Sequence, residues 1–181
     1  MRIMIASDLH GSFECGKELL LRFEEEKCEK LLLLGDLLYH GARNDLPGGY
    51  DTKALTAHLN HYKDRILAVR GNCDAEIDQT VLEFPIMSDF LTLFVDGREW
   101  IATHGHIFNE DRMMPHSSGA VLLHGHTHLK VTEKRDDFYY VNPGSVSIPK
   151  DDAFGSYMVY ENNRFTLKKL SGEALRVFEL N

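Results

Sequence analysis

The chain has 181 residues, of which 43% are hydrophobic and 27% charged, enough for one domain with a substantial core. Its net charge of −8 argues against non-specific binding to DNA or to an anionic membrane, and no segment approaches the roughly 18 apolar residues of a membrane span. Three cysteines (Cys15, Cys28 and Cys73) without CxxC spacing read as free thiols in a reducing cytoplasm, and the start "MRIMIASDLH" is too short an apolar run for a signal peptide.

The first half alternates strands and helices. "RIMIAS" is expected as a strand, and "SFECGKELLLRFEEEK" as a helix capped by Ser12. "KLLLLG" is an apolar strand buried on both faces, and "HGARNDLPGGY" is a loop. "DTKALTAHLNHYKDR" is expected as a helix capped by Asp51 or Thr52, and "ILAVRG" as a third strand. The second half turns to hairpins. They centre on Asp96-Gly97, Asp136-Asp137 and Asn162-Asn163, with the apolar strand "AVLLHGHTH" between the first two. Two sheets stacked face to face with helices outside would bury these strands.

The ends of the apolar strands carry the chemistry. Asp8 and His10 follow the first strand, Asp36 the second and Asn72 the third. His104 follows "WIAT", and His126 and His128 follow "VLLHG". Any one of these matches is weak: an Asp-x-His is often accidental, and Asp36 alone could cap a helix or sit in a turn. Their agreement is the signal, because buried strand ends do not collect titratable groups without partners. Two carboxylates, four imidazoles and one carboxamide suit Mn²⁺, Fe²⁺, Zn²⁺, Co²⁺ or Ni²⁺. Seven side chains exceed the needs of one ion. With one bridging carboxylate they supply about eight bonds, four to each of two ions. Two dications and two aspartates leave a positive charge that complements a phosphodiester, whose phosphorus a bridging hydroxide would attack in line.

Asp8-Leu9-His10, Gly35-Asp36, Gly71-Asn72, His104-Gly105-His106 and Gly125-His126-Thr127-His128 resemble, in order and spacing, the motif series of the calcineurin-like metallophosphoesterases. "HGARNDLPGGY" and "NPGSVSIPK" look like loops of the family's small prokaryotic phosphodiesterases. The resemblance spans nearly the whole chain, so a single domain over residues 1–181 is expected. It implies a four-layer α/β/β/α sandwich with two mixed sheets and a dinuclear site, often loaded with Mn²⁺. It also implies a pairing: Asp8, His10, Asp36 and His128 on one ion, and Asp36, Asn72, His104 and His126 on the other.

One position departs from the pattern. Where the superfamily usually has a histidine after the asparagine, this chain has Cys73. A thiol near two dications tends to ionise and then has no proton to give, so a small apolar filler is the favoured reading. Asn72, His104, Cys73, His106 and Arg43 are the candidate catalytic residues. His106 either reaches the phosphate or orients its turn, and Arg43 either clamps a phosphate or is a solvated loop residue. Asp74 is expected to fix its turn or orient a ligand histidine. His40, His58, His61, His116 and His124 are expected outside the site. The sequence thus predicts a cytoplasmic phosphodiesterase preferring diesters with good leaving groups. Its rivals are a phosphomonoesterase or nucleotide phosphatase on the same site, and a non-catalytic metal-binding scaffold. A small phosphodiester is the expected partner, with neither membrane nor nucleic acid. "FPIMSDFLTLF" is open to being core or the interface of a homo-oligomer.

Overall fold

The computed structural model describes residues 1–181. Strand β1 (Ile3–Ala6) sends Ile3 and Ile5 into one core and Met4 and Ala6 into another. Strand β2 (Lys30–Leu33) divides likewise, with Leu32 on one side and Leu31 and Leu33 on the other. Such strands are apolar throughout because both faces are dry. Between them runs helix α1 (Phe13–Glu25), whose first turn is closed by Ser12 Oγ accepting the Cys15 amide at 3.3 Å. Helix α2 (Thr52–Asn60) is capped by Asp51, which accepts the Ala54 amide at 3.0 Å. It stops short of Arg65, and a 3-10 turn at Lys63–Arg65 leads into β3 (Ile66–Ala68). The change of winding follows Tyr62, whose ring packs edge-on against Phe23 at 5.9 Å between centroids. A single turn, α3 (Glu76–Gln79), follows β3.

The hairpins come next. Strands β4 (Phe90–Val95) and β5 (Arg98–Thr103) meet at Asp96 and Gly97, whose φ angles of 49° and 78° are those of a two-residue hairpin turn. Strand β6 (Ala120–Leu123) precedes the pair β7 (Lys130–Lys134) and β8 (Phe138–Pro143). Strands β9 (Ser156–Glu161) and β10 (Arg164–Lys169) turn at Asn162-Asn163, and β11 (Ala174–Glu179) adds an edge that the sequence reading did not anticipate.

Two mixed sheets result, ordered β11-β10-β9-β1-β2-β3 and β4-β5-β6-β8-β7. Strands β1, β2 and β3 pair in parallel, as do β5, β6 and β8. The sheets close on a core in which Trp100 stands edge-on to Tyr160, ring centroids 4.6 Å apart, and beside Phe165. A second core fills the space between the six-stranded sheet and helices α1 and α2. The far face of the five-stranded sheet carries a small buried apolar cluster of Ile101, Leu122 and Tyr140. Met113 and Met114, from the long β5–β6 connection, cover it in place of a helix. No helix is long and apolar enough to cross a membrane.

Candidate metal centre

The C-terminal ends of β1, β2, β3, β5 and β6 converge at one edge of the sandwich, where open α/β sheets place their ligand sites. Asp8 Oδ1 lies 3.3 Å from His128 Nε2, 3.6 Å from His10 Nε2 and 4.0 Å from His104 Nε2. Asp36 Oδ2 lies 3.4 Å from His104 Nε2 and 3.7 Å from His10 Nε2. Asn72 Oδ1 is 3.1 Å from His104 Nε2, and the His126 ring stands 5.0 Å from that of His104. All seven side chains that the sequence singled out as ligands therefore meet.

Backbone strain accompanies the convergence. Asp8, His10, Asp36, His126 and His128 all have φ between 47° and 64°, in the left-handed region that side chains other than glycine rarely adopt. Each such residue costs on the order of 1 kcal/mol, and strain of this kind gathers where a site is held in a required geometry. Glycines make the close approach possible. A Cβ on Gly71 would stand 2.0 Å from Asp36 Oδ1, and one on Gly125 would stand 1.8 Å from Ser7 Oγ and 2.6 Å from Asp8 Oδ2.

The imidazoles are aimed from behind. The Nδ1 atoms of His10, His104 and His128 lie 2.9, 2.6 and 2.5 Å from the carbonyls of Tyr39, Leu34 and Ile148. Donation to those carbonyls keeps a proton on Nδ1 and leaves each Nε2 facing inward, where a cation would take the place of any second proton. His10 Nε2 and His128 Nε2 then face each other at 3.3 Å, with Asp8 Oδ1 buried beside them and without a hydrogen-bond donor. Three groupings are compact enough to hold a cation: Asp8–His10–His128, His10–Asp36–Cys73 and Asp8–Asp36–His104. Inward-facing Nε2 atoms around an unpartnered buried carboxylate oxygen fit divalent metal ions.

Electrostatics agree with that fit. Burial works against the charge on Asp8, yet His10, His128 and His104 hold its carboxyl well below the usual range. Asp36 is lowered against its burial in the same way, chiefly by His104. His104 is buried too, but Asp36 and Asp8 push it up to about 9. Burial and the neighbouring His104 push His126 down to about 4, leaving it neutral. Burial and the Asp36 carboxylate push the Cys73 thiol up to about 12.

Several side chains that sequence reasoning missed support the centre. Ser145 and Ser147 both donate to the Asp8 carbonyl, at 2.8 and 3.1 Å, and Ser145 Oγ also accepts the Ile148 amide at 2.8 Å. Asn142 donates to the Gly125 carbonyl at 2.9 Å. The polar run "NPGSVSIPK" after an apolar strand was their signal. Asp74 takes the first of its two expected roles: it accepts the amides of Asp36, Leu37 and Gly71, and no histidine.

A pocket of about 530 Å³ opens above the ligand cluster. Asn72, Cys73, His126 and His128 are among its walls, and two separate loops contribute Arg43 and Lys150. The His106 ring stands 5.3 Å from that of His104 and 6.2 Å from that of His126, and it does not line this pocket. Of the histidines expected elsewhere, His124 stacks on Tyr140 and meets Glu110, and His116 pairs with Asp137.

Comparison with known proteins gives this arrangement a family. Residues 1–164 match the model of the calcineurin-like phosphoesterase superfamily domain. The chain is 38% identical to the phosphodiesterase YfcE of Escherichia coli over 175 residues, covering 97% of this chain and 95% of that protein. A solved structure of that phosphoesterase superposes with a TM-score of 0.97 at 37% identity, over 100% of both chains. The phosphodiesterase MJ0936 of Methanocaldococcus jannaschii is 27% identical, over 80% of this chain and 83% of its own. A zinc complex of Vps29 from Entamoeba histolytica, at 19% identity and a TM-score of 0.63 over 100% of both chains, shares the fold. With its motifs, sandwich and ligand cluster in agreement, the chain belongs to the calcineurin-like phosphoesterase superfamily.

Proposed function

We propose that residues 1–181 form one catalytic domain, a metal-dependent phosphodiesterase. The observation that carries this reading is Asp8 Oδ1, buried without a donor and faced by three imidazole nitrogens within 4.0 Å. In this reading Asp8, His10, Asp36 and His128 hold one divalent ion, and Asp36, Asn72, His104 and His126 hold the other. Mn²⁺ is the preferred occupant, with Zn²⁺, Fe²⁺, Co²⁺ and Ni²⁺ accepted, since oxygen and imidazole donors discriminate weakly among them. When bound, such a pair supplies an acidified water and positive charge against the phosphoryl oxygens.

The remaining work falls to the chain. Asn72 is a neutral ligand, so Asp8 and Asp36 alone offset the cations and the site stays attractive to a phosphodiester. Asn72 and His104, with the ions they would hold, stabilise the charge on the phosphoryl oxygens as water attacks in line with the leaving oxygen. Arg43 steadies a phosphoryl oxygen from its loop. Cys73 fills the turn and gives no proton, so diesters whose leaving group departs as a stable anion are favoured. His106 packs beside His104 and His126 and orients its turn. The relatives named as phosphodiesterases support the same substrate class.

Parallel assays with bis(4-nitrophenyl) phosphate and 4-nitrophenyl phosphate, with and without Mn²⁺, test the proposal. Mn²⁺-dependent cleavage of the diester in clear preference to the monoester is expected. Preference for the monoester would make the protein a phosphatase. Absence of both hydrolysis and Mn²⁺ binding would make it a scaffold.

A further inference from the structure

Two ligand-bearing turns lie side by side at the centre, one after β5 with His104 and one after β6 with His126. The Gly125 amide donates to the His104 carbonyl at 3.0 Å, and the two imidazole rings stand 5.0 Å apart. Three of the four ligand imidazoles are aimed by a carbonyl at Nδ1, namely His10, His104 and His128. The His126 ring has no such partner; only its backbone amide is held, by Asp8 Oδ2 at 3.0 Å. The aim of His126 therefore depends on where its turn stands relative to that of His104.

His124 touches both turns. It is 1% exposed and takes no part in the ligand set. Its Nδ1 lies 3.1 Å from the Gly125 carbonyl, and a Cβ on Gly105 would stand 2.6 Å from the same atom. Gly105 has a φ of 112°, which residues with a side chain rarely adopt, and the ring packs directly on its backbone. Tyr140 stacks on the ring, 4.6 Å between centroids. Two adjacent residues of the β5–β6 connection hold this arrangement. Asn109 Nδ2 donates to the Gly105 carbonyl at 3.1 Å, while its Oδ1 accepts the amides of Asp111 and Arg112. Glu110 Oε2 accepts from His124 Nε2 at 2.8 Å. Further along, Met113 and Met114 fasten the connection to Ile101, Leu122 and Tyr140. One residue thus grips the His104 turn, and the next grips the ring wedged against both turns.

We propose that Asn109 and Glu110 are positioning residues for the ion assigned to Asn72, His104 and His126, acting through Gly105 and His124. The proposal rests on the two-ion reading and goes beyond it. A change in the spacing of the two turns moves two ligands of that ion at once. The histidines of the other ion, His10 and His128, are pinned separately by the carbonyls of Tyr39 and Ile148. Loss of the grip therefore weakens one ion and spares the other.

The test titrates the chelator-stripped full chain with Mn²⁺ by calorimetry and reads the loaded protein by electron paramagnetic resonance, which distinguishes an exchange-coupled pair from isolated ions. Glu110, with a side chain 28% exposed, and Asn109 are changed rather than the buried His124, so that the core stays filled. The wild-type chain is expected to take two ions and give the coupled spectrum. In Glu110→Ala and in Asn109→Ala one ion should keep its affinity. The other should weaken about tenfold or more, the usual effect of removing a group that orients a metal ligand. At two ions per chain the coupled signal should then give way to that of isolated ions. Glu110→Gln keeps an acceptor for His124 Nε2 and should restore wild-type binding. Asp111→Ala removes a charge from the same loop and should leave binding unchanged. Lower unfolding midpoints in Glu110→Ala and Asn109→Ala with both Mn²⁺ affinities intact would overturn the inference, leaving a loop that supports only the fold. Equal weakening of both ions, or the same loss in Asp111→Ala, would also overturn it. A wild-type chain that takes fewer than two ions would remove the two-ion reading itself and the inference with it.

Discussion

Asp74 ties two strand ends together through one side chain: its Oδ2 accepts the Asp36 amide and the Gly71 amide, each at 2.8 Å. Its Oδ1 takes the Leu37 amide at the same distance. The bridging ligand candidate Asp36 and the turn carrying Asn72 are therefore set by one buried carboxylate. In Asp74→Ala three buried N–H groups lose their acceptor, at about 1–3 kcal/mol each. We predict a loss of several kcal/mol in urea unfolding, and Mn²⁺ affinity lowered in the protein that still folds. Wild-type stability in that variant would show that water replaces the carboxylate.

Gly71 and Gly125 act by being small. We predict that Gly71→Ala lowers Mn²⁺ affinity about tenfold or more, a cost near 1.4 kcal/mol, because the added methyl meets Asp36 Oδ1 and the Asp36 amide at 2.0 and 2.3 Å. Gly48→Ala is the control, since nothing lies within 4 Å of the added Cβ. Calorimetric Mn²⁺ titration of the pair checks this; equal affinities would show that the backbone yields.

Ser145 positions Asp8 through the Asp8 carbonyl while its own oxygen takes the Ile148 amide. Ser145→Ala leaves the carbonyl with Ser147 alone and the Ile148 amide without its acceptor. We predict stability lower by about 1–2 kcal/mol and weaker Mn²⁺ binding. Ser145→Thr, which keeps the hydroxyl, should recover the binding if the extra methyl is accommodated. Loss of stability with unchanged Mn²⁺ binding would mean that Ser145 supports the fold and not the centre.

Proton linkage follows from His104. In chelator-stripped protein its folded pKa of about 9 lies above the ordinary 6.5, owing to Asp36 and Asp8, which outweigh burial. The stability this charge contributes is full below the unfolded value and is lost as pH rises through about 9. A metal ion must displace the same proton, so Mn²⁺ binding at pH 7 should release protons and tighten as pH rises towards that range. Calorimetry in buffers of different ionisation enthalpy reads the release directly. Binding without proton release would show that His104 is neutral in the stripped protein.

Cys73→His puts a proton donor where the thiol stands. We predict higher turnover, most of all for diesters with poor leaving groups, where protonation contributes on the order of 10²-fold. A loss of about tenfold in turnover would instead assign the thiol a role of its own.

The candidate ligands stood out because strand ends punctuate a sequence clearly: apolar runs stop at Asp8, Asp36, Asn72, His104 and His126, and these residue types have few other uses there. Ser12 and Asp51 likewise announced their helices. The supporting shell was less visible. Ser145, Ser147 and Asn142 act through backbone carbonyls far away in sequence, and serine and asparagine are ordinary loop residues. Strand β11 is mostly exposed on a sheet edge, so it lacks the alternation that marks a half-buried strand. The end of α2 was overrun because "HYKDR" keeps helical composition while Tyr62 is drawn towards Phe23.

The central claim is that Asp36 stands between two metal ions. Anomalous diffraction from Mn²⁺-soaked crystals, collected at the manganese edge, tests it directly. Two peaks about 3.5–4 Å apart are predicted, one beside Asp8, His10 and His128, the other beside Asn72, His104 and His126, with Asp36 touching both. One peak, or none, would contradict the account.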